Sequence, residues 1–364
     1  MNVQSWTGYD DSRFGYGAMF HGFKEVLPKS VTLDSRGSVN VHMSVPNVCK
    51  GWFVGQHRVV FTMWETDVLP ADFRNWLGEY DQVLVPCEHN VELFSQHHRD
   101  VSFVTLGVDR KVWSPRVRPE GEVFRFAAGG SLWRRKGLDI AVEAFNRLKL
   151  HNAELHIKAA PHAQDTPTRN PGPNIHLHRN WMTLPETVDW FHQADCYIAA
   201  SRGEGFGLMP LQAIAAGIPT ILSRTTGQTQ FAHLATYQIP CGTSKADTTG
   251  NWDEPNLHDL MEAMHDAYHN RDRNNITAKQ NAARTADWTW HKAVKQLLAV
   301  TPTGTLLNNP DWLTPDITVP IRVKRKVNAH IGTKDWRLTP GITYTVPENV
   351  FQVLSNSGAL EDPQ

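Results

Sequence analysis

Residues 201–219 read SRGEGFGLMPLQAIAAGIP, and the reading of this stretch decides the fold. It follows an apolar run that ends at Ala200. It leads into a segment, Pro210 to Ala216, that is apolar nearly all round, and Gly217 and Pro219 then stop the helix. A glycine-rich turn between a strand and a buried helix lies at the carboxyl end of a sheet, where open α/β folds bind ligands. Backbone N–H groups at the start of such a helix, together with its dipole, suit phosphate. The same glycines also serve as plain geometry for a tight strand-to-helix turn.

Working outward, short apolar runs alternate with helix-like segments through the first 300 residues, the pattern of a parallel sheet covered on both faces. Strands are predicted at Val3 to Trp6, Val39 to Met43, Val59 to Trp64, Gln82 to Pro86 and Val101 to Leu106, with amphipathic stretches at Ala71 to Tyr80 and Asn90 to His98. After the turn-rich segment from Trp113 to Arg116 a second series begins, with strands predicted at Val123 to Ala127, Glu154 to Ala159, Asn174 to His178, Asp195 to Ala200 and Thr220 to Ser223. Leu138, Ala141, Phe145 and Leu148 repeat at helical spacing, and a last helix, Trp290 to Val300, is expected to close the second domain. Two doubly wound domains are therefore expected at 1–115 and 116–300. A Pro- and Thr-rich linker over 301–320 and a small β-rich appendage with one helix over 321–364 follow.

Lys plus Arg (36) nearly cancels Asp plus Glu (37), so no overall field draws the chain to nucleic acid or to an anionic membrane. Cys49, Cys87, Cys196 and Cys241 form no C-x-x-C pair and read as reduced thiols of a cytosolic protein. The N-terminus lacks the basic and apolar regions of a signal peptide, and no apolar stretch approaches the ~20 residues needed to span a bilayer. A cytoplasmic location is expected. The 13 Trp and 18 His supply flat rings with polar edges, suited to sugar or base recognition as well as to packing.

The motif E-G-F-G-L beginning at Glu204, followed by A-x-A-x-G-x-P, resembles the donor site of glycosyltransferase family 4, retaining enzymes of the GT-B fold. The resemblance implies two Rossmann-like domains facing a cleft. It implies transfer of a sugar from a nucleotide-sugar donor (UDP-, GDP- or ADP-linked) without a catalytic metal or other cofactor. In that family two glutamates flank seven residues, the first near the donor sugar hydroxyls and the second on the ribose. Glu204 fits the first position. The second is Gln212 here, whose amide can still hydrogen-bond a hydroxyl. Gly205, Phe206, Gly207 and Leu208 complete the donor turn.

Four further segments carry the resemblance, which covers roughly residues 55 to 300. Residues 127–137, AAGGSLWRRKG, place Arg135 and Lys136 at a helix start, beyond Gly130. There the family holds the donor diphosphate, and two adjacent cations stabilise a leaving group on which negative charge develops. Residues 61–70, FTMWETDVLP, with 85–90 and 106–109, match a mannosyltransferase-like branch. They put Glu65 and Asp67 at the end of a strand facing the cleft, to hold the donor sugar or take the acceptor proton. Trp181 and Met182 occupy the place of the nucleobase. Gly15 and Gly17, in a loop before a helix, are candidates to cover the phosphates from the other side.

The resemblance implies that the acceptor binds the front domain. Residues 331–359, IGTKDWRLTPGITYTVPENVFQVLSNSGA, resemble small C-terminal modules common in bacteriophage proteins. That resemblance implies a macromolecular acceptor, DNA at a hydroxymethylated pyrimidine ahead of a virion protein or surface glycan. Alternate members of Arg322, Lys324, Arg325 and Lys326 would share one strand face and meet phosphates. A non-catalytic nucleotide-sugar or carbohydrate-binding module is the other class, suggested by Gln212.

Overall fold

The computed structural model describes residues 4–8, 11–12, 15–33, 37–46, 57–117, 121–130, 134–159, 161, 172–304, 318–324, 326–331, 334–340 and 342–347. Its first sheet is built from β1 (Gln4–Gly8), β2 (Val31–Thr32), β3 (Val39–Met43), β4 (His57–Phe61), β5 (Gln82–Val85) and β6 (Val101–Phe103). All pair in parallel, in the order β2-β1-β3-β4-β5-β6. Helices α1 (Gly15–Lys24), α2 (Ala71–Leu77) and α3 (Glu88–Ser95) belong to this half. Every residue of β3 and β5 is buried, as expected of inner strands of a parallel sheet covered on both faces, and in β3 this includes the polar Asn40 and His42.

The second sheet comprises β7 (Phe124–Gly130), β8 (Ala153–Ala159), β9 (Ile175–His178), β10 (Cys196–Ala199), β11 (Thr220–Ser223) and β12 (Tyr237–Ile239). They are also parallel, in the order β12-β11-β10-β7-β8-β9. Read from the other edge this is 3-2-1-4-5-6, the doubly wound nucleotide-binding order. Helix α4 (Leu138–Leu148) buries Leu138, Ala141 and Phe145 on one stripe, as the spacing predicts. It is followed by α5 (Leu184–His192), whose N-cap Thr183 and Glu186 form a reciprocal capping box, and by α6 (Leu208–Ala215). A two-stranded hairpin, β13 (Cys241–Lys245) with β14 (Asn251–Pro255), precedes α7 (Leu257–His269), α8 (Arg271–Arg284) and α9 (Trp290–Val300).

The structure differs from the expectations in three places. Gly15 and Gly17 lie in the first turn of α1 rather than in a loop ahead of it. A Cβ on Gly17 would run into the carbonyl of Asp11, so close backbone approach explains that glycine. Helix α9 does not close the second domain but crosses back to the first. Trp290 packs edge-on against Phe23 of α1 at 5.4 Å, Gln82 Nε2 donates to the Val300 carbonyl at 2.9 Å, and the Thr105 amide donates to Gln296 Oε1 at 3.0 Å. Its apolar stripe, Trp290, Ala293, Val294 and Leu297, needs a partner, and the open face beside α1 and β1 supplies it.

The third concerns the tail, whose described part is two antiparallel pairs. They are β15 (Thr318–Ile321) with β18 (Tyr344–Pro347), and β16 (Val327–Ile331) with β17 (Lys334–Leu338). Arg322, Lys324 and Lys326 fall in the connection between β15 and β16, so they do not share one strand face. There Val323 is the buried residue and its charged neighbours stay exposed. The expected helix of the appendage and most of the expected linker lie outside the described residues, as do Arg325 and Cys49. Cys87, Cys196 and Cys241 are free thiols. No helix among the described residues is long and apolar enough to cross a membrane.

Gly107 seals the return of α9, because a Cβ there would strike the Thr289 and Trp290 backbone. Gly107→Ala is expected to destabilise the chain by about 1–3 kcal/mol, the usual cost of overpacking. Chemical denaturation followed by tryptophan fluorescence checks this, and an unchanged midpoint would contradict the packing described.

Candidate functional site

Strands β7 and β10 are neighbours at the centre of the second sheet, and the chain leaves them toward opposite edges. Their carboxyl ends therefore open the crevice where doubly wound sheets take ligands. From β7 the chain enters the turn holding Arg134 to Gly137. From β10 it enters Ser201 to Gly207. The two turns are joined by the Arg202 amide donating to the Arg135 carbonyl at 2.7 Å.

Glu204 lies between them with 7% of its side chain exposed. Lys136 Nζ donates to both carboxylate oxygens, at 2.6 and 2.7 Å, and Ser201 Oγ donates to Oε1 at 2.8 Å. Arg135 stands 3.5 Å from Glu204 and 3.6 Å from Glu65, and it donates to the Gly203 carbonyl at 2.7 Å. Burial alone would raise the pKa of Glu204. The Lys136 and Arg135 charges outweigh it and hold the carboxyl below its ordinary range. Burial, with the neighbouring Arg135, lowers Lys136 despite its carboxylate partner. Burial works against Arg135 too, yet Glu65 and Glu204 raise it, so this guanidinium is firmly charged.

The backbone around these charges is built for close approach. Gly137 caps α4 at φ +63°, and a Cβ there would run into the Ala200 carbonyl. A Cβ on Gly130 would occupy the space of the Lys136 side chain. Gly207 caps α6 at φ +102°, where Leu208 begins the helix half-buried. Phe206 is buried against Phe231 and Trp288 at 5.5 and 6.0 Å. Gln212 sits one turn into α6, half-buried.

The first domain meets this surface directly. The Cys87 thiol, pushed up to about 12 mainly by burial, donates to the Gly205 carbonyl at 3.4 Å, and a Cβ on Gly203 would strike the Glu65 carbonyl. Glu65 and Asp67 lie in the loop after β4, which ends at Phe61, rather than in the strand itself. Glu65 faces Arg135, as a residue lining the cleft must. Asp67 is engaged elsewhere: Oδ1 accepts from the Asn251 amide N–H and Oδ2 from its side chain at 2.8 Å, which joins it to β14. Trp181 and Met182 follow β9 in the loop before α5, both half-buried. Gly15 and Gly17 begin α1, whose Tyr16 hydroxyl donates to the Met63 carbonyl at 3.1 Å, close to Glu65.

Four residues belong to the site beyond those the motifs point to. Ser201 orients Glu204. Thr226 accepts from the Glu204 amide and donates to its carbonyl, both at 2.8 Å. Arg202 forks onto Asp139 and Glu254 at 2.7–2.9 Å and fixes the hairpin below the turn. Asn251 holds Asp67. Ser201 and Arg202 stand inside the quoted motif and were open to reading there. Thr226 and Asn251 lie in polar segments with no periodicity to mark them.

Residues 88–297, more than half of the chain, match the family described as family 4 glycosyltransferases in conflict systems. A D-inositol 3-phosphate glycosyltransferase of Arthrobacter sp. (strain FB24) is 26% identical over 157 residues, 37% of each chain. That of Paenarthrobacter aurescens (strain TC1) is 27% identical over 159 residues, 37% of this chain and 38% of the relative. The chain thus spans little more than a third of the length of these relatives. Among solved structures, Anabaena HepE in complex with UDP and glucose superposes with a TM-score of 0.63 at 9% identity, over 82% of this chain and 98% of that one. WaaG, a glycosyltransferase involved in lipopolysaccharide biosynthesis, gives 0.56 at 14% identity, over 82% and 99%. The architecture is the GT-B fold, as the motifs imply.

Removing one member of the Glu204–Lys136 pair strips a buried charge of its nearest counter-charge, whereas removing both does not. Glu204→Leu and Lys136→Met are each expected to cost about 3 kcal/mol, and the double variant clearly less than their sum. Urea denaturation of the three variants measures the coupling, and additive losses would show that the pair is not the stabilising unit.

Proposed function

The chain belongs to the family 4 glycosyltransferases in conflict systems, and from that premise we propose that it is a retaining, metal-independent transferase moving a sugar from a nucleotide-sugar donor to a macromolecular acceptor. One observation carries the reading. At the switch point of a doubly wound sheet, two cations and two carboxylates are gathered between two domains, around the buried Glu204 and with Glu65 still partly open to solvent.

The chemistry follows from the charges. Cleaving the sugar–phosphate bond puts negative charge on the departing diphosphate, and Lys136 and Arg135 stabilise it without needing an ion. Glu204, released in part from Lys136, accepts hydrogen bonds from donor sugar hydroxyls. Glu65 completes the sugar side of the cleft. The backbone N–H groups from Gly205 to Leu208, with Gly130 across the crevice, line the phosphates, and Gln212 reaches the ribose. Trp181 and Met182 border the base, and Gly15 and Gly17 bring α1 close from the first domain. Asp67 acts in domain contact, since both of its oxygens are held by Asn251. The leaving phosphate takes the acceptor proton on the face it leaves, so the sugar keeps its configuration, and the protein contributes position and charge.

For the acceptor, the reading is a hydroxymethylated pyrimidine in DNA. Arg322, Lys324 and Lys326, clustered in the β15–β16 connection, support it as cations that meet phosphates. A target base would be flipped from the duplex to reach the cleft.

Incubation with labelled UDP-, GDP- and ADP-sugars and matched DNAs, with and without hydroxymethylpyrimidines, followed by digestion and mass spectrometry, tests donor and acceptor together. A sugar mass on the hydroxymethyl nucleoside alone is the expected outcome. Donor hydrolysis with no DNA adduct would move the acceptor to virion protein or surface glycan. No turnover of any donor would favour the binding module. Lys136→Ala is expected to lower kcat roughly 100-fold or more, and intact transfer in this variant would displace the leaving-group site. Gln212→Glu should lower the donor KM several-fold with kcat little changed, because a charged acceptor strengthens the ribose hydrogen bond about twofold in energy. A change in kcat alone would remove Gln212 from the ribose.

A further inference from the structure

Outside the cleft, one face at the edge of the second sheet gathers an unusual set of side chains: Glu154, His156 and Lys158 on β8, and His176 and His178 on β9. The parallel register sets His156 opposite His176 and Lys158 opposite His178. The rings of His156 and His176 lie 4.7 Å apart, and those of His156 and His178 stack at 5.3 Å. A hydrogen-bond chain runs from His178 Nε2 to His156 Nδ1 at 3.0 Å and from His156 Nε2 to Glu154 Oε2 at 2.9 Å. His176 Nε2 is 3.8 Å from Glu154 Oε1. Among the described residues, Glu154, His156 and His176 are three metal-capable side chains whose ligand atoms all lie within 4.8 Å of one another.

We propose that Glu154, His156 and His176 form a binding site for a divalent transition-metal ion of the zinc class, with His178 as the outer partner of His156. Two imidazoles and a carboxylate are the donor set that zinc and its neighbours prefer over calcium or magnesium. Ligand atoms about 2.1 Å from a tetrahedral ion stand roughly 3.3 Å apart, so the group closes on an ion by small side-chain movements. His176 is 48% exposed and can make them. Its exposed side leaves the fourth position to water.

The hydrogen bonds suit this arrangement. When His156 Nε2 ligates, its Nδ1–H donates to His178 Nε2, the outer contact that fixes tautomer and ring orientation in histidine–metal sites. Arg125 opposes an ion, its Nε lying 3.5 Å from Glu154 Oε2. Oε1, the oxygen that faces His176, is therefore the ligand, and Oε2 stays with Arg125.

This site is not catalytic. His156 pairs with Ala127, three residues before Gly130, which places it about 10 Å along the strand from the diphosphate turn. An ion here would tie the edge strand β9 to β8. The residues after His178 are the loop of Trp181 and Met182, so bound metal would also brace that loop. This last consequence rests on the proposed donor reading, whereas the metal site does not.

The test uses the untagged, full-length, metal-stripped chain, titrated with Co2+ followed by visible absorption and with Zn2+ by calorimetry. One equivalent of Co2+ with a tetrahedral-type spectrum, displaced by Zn2+, is expected. His156→Gln and His176→Gln should abolish it, His178→Gln should weaken it roughly 10–100-fold, and Arg125→Gln should tighten it. His265 and His269, one turn apart on α7 with rings 4.3 Å apart, are the obvious competing chelate. The double variant His265→Gln/His269→Gln should leave the titration unchanged. Absence of binding, survival of binding in His176→Gln, or its loss in the α7 variant would each overturn the proposal. Should His156→Gln fail to fold, the exposed His176 carries the test. Because the readout is metal binding, its failure is separate from any failure of sugar transfer.

Discussion

A carboxylate taken out of water must be paired, and Glu204 is the carboxylate around which this molecule is arranged. Its pairing with Lys136 requires the turn after β7 to reach the turn after β10 across the switch point of the sheet. That approach leaves no room for side chains at Gly130 or Gly137, and the second must also adopt positive φ. Ser201 then adds a second hydrogen bond to Oε1, and Thr226 satisfies the backbone N–H and carbonyl of the same residue. Substituting any one of these glycines would be felt at the carboxylate, because the turns have no slack in which to absorb a Cβ.

The same economy joins the domains. Arg135 lies between Glu204 of its own domain and Glu65 of the other, so a single guanidinium links both sides of the cleft. Around it the contacts are close and mainly polar, Cys87 to Gly205, Asp67 to Asn251 and Gly203 against the Glu65 carbonyl, with the Met63 side chain against Gly205. On the far side, α9 supplies apolar burial against α1. The interface is therefore greasy at the hinge end, where the chain crosses, and charged at the ligand end.

What the sequence made legible followed from apolar burial. β3, β5, β10 and β11 are buried throughout and read directly as strands, and the residues read from two separate motifs, Glu204 in one and Arg135 and Lys136 in the other, come together at the carboxyl ends of β10 and β7. What it hid is held together by polar side chains. The hairpin β13–β14 has no apolar alternation because Arg202 binds Glu254 and Thr225 binds Asp253. Helix α5 is announced by the capping box of Thr183 and Glu186 and a proline at its start, a signal independent of periodicity. Asp67 read as a cleft carboxylate, since nothing in a linear sequence joins it to Asn251, 184 residues away. Helix α9 had the right apolar stripe, but a stripe does not say which domain it will cover.

The resting site is electrically closed: Arg135 and Lys136 are matched by Glu65 and Glu204. Bare phosphate would take Lys136 from Glu204 and leave a buried carboxylate short of donors, a cost comparable to the attraction gained. A ligand that brings hydroxyl groups along with its phosphates restores to Glu204 the hydrogen bonds that Lys136 withdraws. Under the proposed reading, the internal ion pair therefore acts as a filter. It disfavours phosphate alone and admits a diphosphate joined to a sugar, because only the joined ligand satisfies both halves of the pair that it parts.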